Sequence, residues 1–138
     1  MSTSTSITDQ NNIHAVLTKW IEAIEGRELG MLPEVVAMDT NLIWIGTAVN
    51  EWVSGYRQLE QFMQAQNDAL LDIQIDVSEE SIHTYPQVNL AWATNRWVYH
   101  ARAGEEELVL PLRCTWILEK RAQGWRIVHF HKSVGMPV

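Results

Sequence analysis

The side chains best suited to chemistry are two histidines near the end of the chain. They lie in the run Gly124-Trp125-Arg126-Ile127-Val128-His129-Phe130-His131-Lys132-Ser133. Imidazole exchanges a proton near neutral pH, so a His-x-His pair offers acid–base work, a polar hold on a small ligand, or two metal ligands. In a strand, residues two apart share a face. Trp125, Ile127, His129, His131 and Ser133 therefore share one face, and Arg126, Val128, Phe130 and Lys132 the other. A metal needs a third and a fourth ligand. No carboxylate follows His131 at a supporting spacing, and His100 and His83 enter only if the strand register brings them in. The expectation is no metal and no cofactor. Two readings stay open for the pair. The imidazoles are satisfied by backbone or by neighbours such as Asn95, or they line a pocket, with His131 and His129 as its acid–base groups.

The strand before it fixes an expected register. A two-residue turn at Ala122-Gln123 pairs Arg121 with Gly124, which sets Leu118 opposite Ile127, Trp116 opposite His129 and Cys114 opposite His131. Cys114, Trp116, Leu118, Trp125, Ile127, His129 and His131 would then face a cavity. Arg113, Thr115, Ile117, Glu119, Arg126, Val128, Phe130 and Lys132 would face away. A slip of one residue would turn Arg113 inward, as the strongest anion binder of the chain. Trp44, Tyr56, Trp97 and Trp116 either line the cavity or pack the core. Cys114 has no cation beside it in sequence and reads as a small buried hydrophobe.

The elements that must position these groups are legible from periodicity. Ile13, Val16, Leu17, Trp20, Ile21 and Ile24 predict a one-sided helix stopped by Gly26, with Ser6 and Asp9 at capping-box spacing. A shorter helix is expected from about Leu32, with Pro33 in its first turn, and ends near Met38. Asn41 to Thr47 reads as a strand buried on both faces, Asn50 to Ser54 as a loop, and Gly55 as the start of a third helix ending before Asp72. Alternation then predicts four strands. Leu71 to Tyr85 places Leu71, Ile73, Ile75 and Val77 on one face, and Leu90 to His100 places Ala91, Ala93, Asn95, Trp97 and Tyr99 on one face. Glu107 to Arg121 carries Pro111, which marks an edge or a bulge. The final histidine strand completes the set. Strands grouped after helices predict an α+β fold. Residues 1–8 are expected to be a flexible tail and residues 9–138 a single domain.

Bulk properties narrow the partners. The chain has 138 residues, enough for one domain with a core. A formal net charge of −7 with no Lys/Arg cluster disfavours nucleic acid and anionic membrane. One cysteine excludes an internal disulfide and a Cys-based metal cage. The polar start, Met1 to Ser6, lacks a signal pattern and no apolar run reaches spanning length, so a cytoplasmic location is expected. Seven tryptophans are many for this length and suit a pocket or a subunit interface.

The order of helices, the strand–Gly55–helix segment and the run Trp125 to Ser133 resemble the SnoaL-like domains of the nuclear-transport-factor-2-like superfamily. The Trp-x-x-Val-His-Phe-His-x-Ser strand most resembles the association domain of calcium/calmodulin-dependent protein kinase II. The Arg113-x-Thr115 and Ala91-Trp92 pairs resemble bacterial SnoaL-like domains. The resemblance implies a cone-shaped, curved antiparallel sheet wrapped on a long N-terminal helix, with two further helices and a deep pocket. It also implies a homodimer through the sheet, with higher assembly open. It does not carry over a mechanism. Ketosteroid isomerases of this fold place an Asp base on the first strand, where this chain has Trp44, Ile43 or Ile45. Two functions follow as expectations. One is binding of an unidentified small molecule by Trp44, Tyr56, Asn95, Trp97, Arg113, Trp116, His129 and His131, with cofactor-independent chemistry of isomerase, cyclase or hydrolase type. The other is an oligomerisation module whose pocket is vestigial.

Overall fold

Apolar residues at helical spacing put one stripe of the first helix, α1 (Thr3–Glu25), into the interior: Ile13, Leu17, Trp20 and Ile24 are all buried. The computed structural model describes residues 3–138, with side chains from residue 7. The helix begins at Thr3, inside the stretch expected to be a tail. Asp9 is not a cap. Its buried carboxylate accepts hydrogen bonds from Lys120 Nζ at 3.1 Å and Trp125 Nε1 at 3.3 Å, which pins α1 to the last hairpin.

The second expected helix is a 3-10 segment, Leu29–Glu34, that ends around Pro33. Val36 then bridges Ile127 in parallel, with backbone bonds from Ile127 N to Val35 O and from Ala37 N to Ile127 O. Strand β1 (Ile43–Ile45) follows. The expected loop contains a second short strand, β2 (Trp52–Ser54), antiparallel to β1. Helix α2 (Tyr56–Ala69) starts after Gly55, whose φ of +88° suits glycine and where a Cβ would sit a tight 3.2 Å from the Thr40 carbonyl oxygen.

Four long strands complete the chain: β3 (Leu71–Tyr85), β4 (Leu90–Ala103), β5 (Glu106–Arg121) and β6 (Gly124–Ser133). They form an antiparallel meander, and β1 joins β6 in parallel, which gives the order β2-β1-β6-β5-β4-β3. The fold is α+β, with a curved, open, mixed six-stranded sheet against which α1 packs. Pro111 sits beyond the last β5–β6 pair, Arg113 with Ser133, where β5 has a free edge that needs no donor. β3 carries two irregularities, at Leu71/Gln74 and at Ser78/Ser81. Asp72 and Glu79 take positive φ there, and Leu71 and Val77 stay largely exposed instead of joining Ile73 and Ile75 in the core.

One irregularity redirects the candidate chemistry. Arg121 pairs with Gly124 and Leu118 with Ile127, as the two-residue turn requires. A bulge then intervenes, so that Ile117 pairs with His129 while Leu118 pairs with Ile127, and Val128 is the extra residue. Beyond it every β6 side chain changes face relative to plain alternation. Trp116 pairs with Phe130 and Cys114 with Lys132, while Thr115 pairs with His131. The expected pairings of Trp116 with His129 and of Cys114 with His131 are therefore corrected. Phe130 and Lys132 face inward, and the histidines face outward.

Candidate active site at the open end of the cone

The interior is built around rings. Trp44 touches Trp20 and Phe130 at centroid distances of 4.7 and 4.9 Å, and Phe130 lies 4.1 Å from Trp116. Trp97 packs on both Phe130 and Trp116 at 5.7 Å. These rings come from α1, β1, β4, β5 and β6, so burying them fixes the curvature of the sheet over the helix. Trp116 is fully buried and donates Nε1–H to Asn95 Oδ1 at 3.1 Å; Asn95 Nδ2 in turn donates to Glu80 at 3.4 Å. Asn95 and Trp116 thus satisfy each other inside the core. Tyr56 is likewise buried, at the start of α2.

Past this ring cluster the cone opens. A closed end of about 10 Å³ is lined by Trp20, Trp44, Trp97, Phe130, Tyr99 and Lys132, among others. It leads into a mouth of about 360 Å³, whose walls include Phe62, Ala65, Leu70, Leu110 and Leu112. Glu51, Phe62, Gln66, Tyr99 and Lys132 line both spaces and form the neck between them. Glu51 owes its position to the β1–β2 turn: its side chain lies over Gly46, where even a Cβ would meet it, and its backbone carbonyl accepts from Gly46 N at 2.8 Å.

The neck carries the titratable groups of the cavity. Lys132 is placed there by the Val128 bulge, with its ammonium 5.5 Å from the centre of the Tyr99 ring. Burial lowers the Lys132 pKa below 10.5, against the opposing pull of Glu51 and Cys114. Burial, and secondarily Glu51, pushes Tyr99 up to about 12, so its hydroxyl keeps its proton. Cys114 is also pushed up to about 12 by burial, as befits a buried thiol. An ammonium, a protonated phenol and a carboxylate at the neck of an apolar cavity can orient a polar group and move a proton at it.

Of the residues expected at the site, Trp44 and Trp97 lie on the closed end. Tyr56, Asn95 and Trp116 are core residues outside both lining sets. Arg113 points to the outer face of the sheet, where its Nε donates to Ser133 Oγ at 3.1 Å. His131 is exposed on that face, where it lines a second recess of about 440 Å³ together with Asn95, Arg113, Thr115 and Ser133. His129 Nδ1 bonds the Ile43 carbonyl at 2.9 Å and so ties β6 to β1. The assignment of His129 and His131 to the cavity face is corrected by the bulge. Among the described residues no group of three or more His, Cys, Asp or Glu side chains is placed to hold a metal. Tyr99 was within reach of sequence reasoning, since it shares the β4 face of Trp97. Lys132 was not, because plain alternation puts it outside.

Comparison with known proteins agrees with this architecture. No curated protein matches the sequence. Among solved structures, an NTF2-like superfamily protein from Salmonella enterica superimposes with a TM-score of 0.85 at 18% identity, covering 97% of this chain and 95% of that one. A candidate scytalone dehydratase from Novosphingobium aromaticivorans gives 0.86 at 12% identity, covering 98% and 89%. A candidate dehydratase of the NTF2-like family from Streptomyces avermitilis gives 0.84 at 13% identity, covering 94% and 99%. At these identities the likeness speaks for the fold. The family description for SnoaL-like domains matches residues 13–137, from Ile13 in α1 to beyond the end of the histidine strand, and the chain belongs to the SnoaL-like domain family.

Proposed function

We propose that this protein binds a small molecule with a flat, apolar body at the open end of its cone. The observation that carries the reading is the mouth itself. Its walls are mainly Phe62, Leu70, Leu110 and Leu112, and its volume falls in the range of sites for small organic ligands, about 300–1,000 Å³. A few polar groups converge at its neck, which is how such sites fix orientation. Any chemistry would be cofactor-independent acid–base work of isomerase, cyclase or hydrolase type, and its groups would be Lys132, Glu51 and Tyr99. The dehydratase names of two structural neighbours support an enzyme-like use of the cavity. The test is a titration with the neutral fluorophore N-phenyl-1-naphthylamine. Saturable one-to-one enhancement is expected, and it should disappear in Ala65→Trp, which fills the mouth, with the melting temperature unchanged. Absence of saturable binding, or equal binding by the filled variant, would overturn the reading.

A second role concerns the outer face of the sheet. We propose that it forms a homodimer interface. Trp92, Val98 and Val109 are exposed there, with exposures of 37%, 38% and 55%. Trp92 is also held rigid by stacking on His83 at 4.1 Å. Large apolar side chains on a firm sheet face support association, and the pocket opens elsewhere, so dimerisation and ligand binding are compatible.

A further inference from the structure

Three residues that line the inner end of the cavity carry buried hydrogen-bond donors that have nothing to donate to. Trp20 Nε1, Trp97 Nε1 and the Tyr99 hydroxyl are all buried without a hydrogen-bond partner, and all three residues line this one space. Their residues are 1%, 2% and 5% exposed. A buried donor left unpaired forfeits its hydration without a replacement, so it is destabilising. Three of them around one small void form a shared receptor for an acceptor atom rather than three separate defects. Indole nitrogen can only donate. Tyr99 keeps its proton to about 12 and donates as well. The acceptor-bearing side chains of the lining, Glu51 and Gln66, reach this space from the neck, as Tyr99 and Lys132 do, and neither pairs with any of the three donors. Beside the donors lies the Lys132 ammonium.

The space selects the size of the acceptor. About 10 Å³ admits roughly one water-sized atom group. The remainder of a ligand must stay at the neck and in the mouth, against Phe62, Leu110 and Leu112. We infer that the ligand is a small monocarboxylate with a flat apolar body: one carboxylate oxygen enters the closed end among Trp20, Trp97 and Tyr99, the other meets Lys132 at the neck, and the body fills the mouth. A carboxylate fits better than a neutral carbonyl because Lys132 loses hydration that Glu51 only partly offsets, and an incoming anion restores a partner to the charge. This inference rests on the small-molecule reading above and specifies the class of ligand.

Benzoate and its neutral analogue benzamide separate the possibilities by calorimetric titration of the intact protein. Benzoate is expected to bind about tenfold or more tighter than benzamide, the usual weight of a charged hydrogen bond. Lys132→Met should erase that preference, bringing benzoate to the affinity of benzamide. Tyr99→Phe and Trp97→Phe should each weaken benzoate roughly three- to tenfold. Melting curves identify any variant that fails to fold, and Tyr99→Phe, which deletes one oxygen, serves as the mildest probe. Equal binding of benzoate and benzamide, or a preference that survives Lys132→Met, overturns the carboxylate assignment and leaves the pocket reading standing. Binding of neither benzoate nor the fluorophore overturns both.

Discussion

Val128 decides which side chains enter the cone. Without it, β6 would alternate from Trp125 through His131 on one face, and the histidines would line the cavity. With it, Phe130 and Lys132 take those places, paired with Trp116 and Cys114. The identities of the core residues were legible in the sequence because burial selects residue type. The face of a residue beyond a bulge was not, since one extra residue leaves no mark in a run such as Ile-Val-His-Phe-His that is apolar or aromatic on both faces. The consequence at this scale concerns both histidines. His131→Ala should change neither the affinity for the fluorophore nor stability, the latter by more than about 0.5 kcal/mol, as for an exposed side chain. His129→Ala should cost about 1 kcal/mol through the lost bond to the Ile43 carbonyl, again without affecting affinity. Chemical denaturation together with the fluorophore titration checks both. Loss of ligand binding in His131→Ala would return the histidines to the site.

At the scale of elements, the parallel attachment of β1 to β6 has to be secured by contacts remote in sequence. His129 supplies one, while Asp9, reaching from α1 to Lys120 and Trp125, fixes the β5–β6 hairpin to the helix. The strongest is an arginine clamp. Arg121, at the end of β5, donates to both Asp39 oxygens at 2.7 and 2.6 Å and also to Glu119 at 2.7 Å. The Asp39 carbonyl then accepts from Tyr56 N at 3.0 Å, so this aspartate joins β5 to the start of α2. Periodicity shows helices and strands but no such pairing, which is why α1, β1, α2 and the meander were readable while β2, the 3-10 segment and the parallel pairing of β1 with β6 were not. The hydrogen bonds from Arg121 hold the Asp39 pKa below its ordinary 3.8, in spite of burial that acts the other way. The unfolded chain therefore binds the proton first. The clamp's contribution is complete above about pH 4–5 and is lost as pH falls through 3.8 towards the lower folded value. Asp39→Asn should destabilise the protein by about 1.5–3 kcal/mol at pH 7. The gap from the parent should narrow when urea midpoints are measured down to pH 3, and a gap independent of pH would remove Asp39 from the clamp.

At the scale of the molecule, the sheet has two unlike faces. The inner face is covered by α1 and the ring cluster and opens at the mouth of the cone. Among the described residues, no helix covers the outer face of β3, β4 and β5. It mixes Trp92, Val98 and Val109 with Arg96, Arg113 and His131, the composition of a recognition surface more than of a solvated one. A symmetric pair formed through this face would cover Trp92 twice, so one substitution acts on both sides of the contact. The parent protein is expected to run as a dimer in size-exclusion chromatography with light scattering. Trp92→Glu should shift it to monomer at micromolar concentration, because each copy would bring a carboxylate into the apolar part of the interface. The fluorophore should still bind the monomer, since the mouth is walled by α2 and the inner faces of β4 and β5. A monomeric parent, or a Trp92→Glu protein that stays dimeric, would place any assembly elsewhere. A monomer that no longer binds the fluorophore would mean that pairing of the outer faces holds the cone in its open shape.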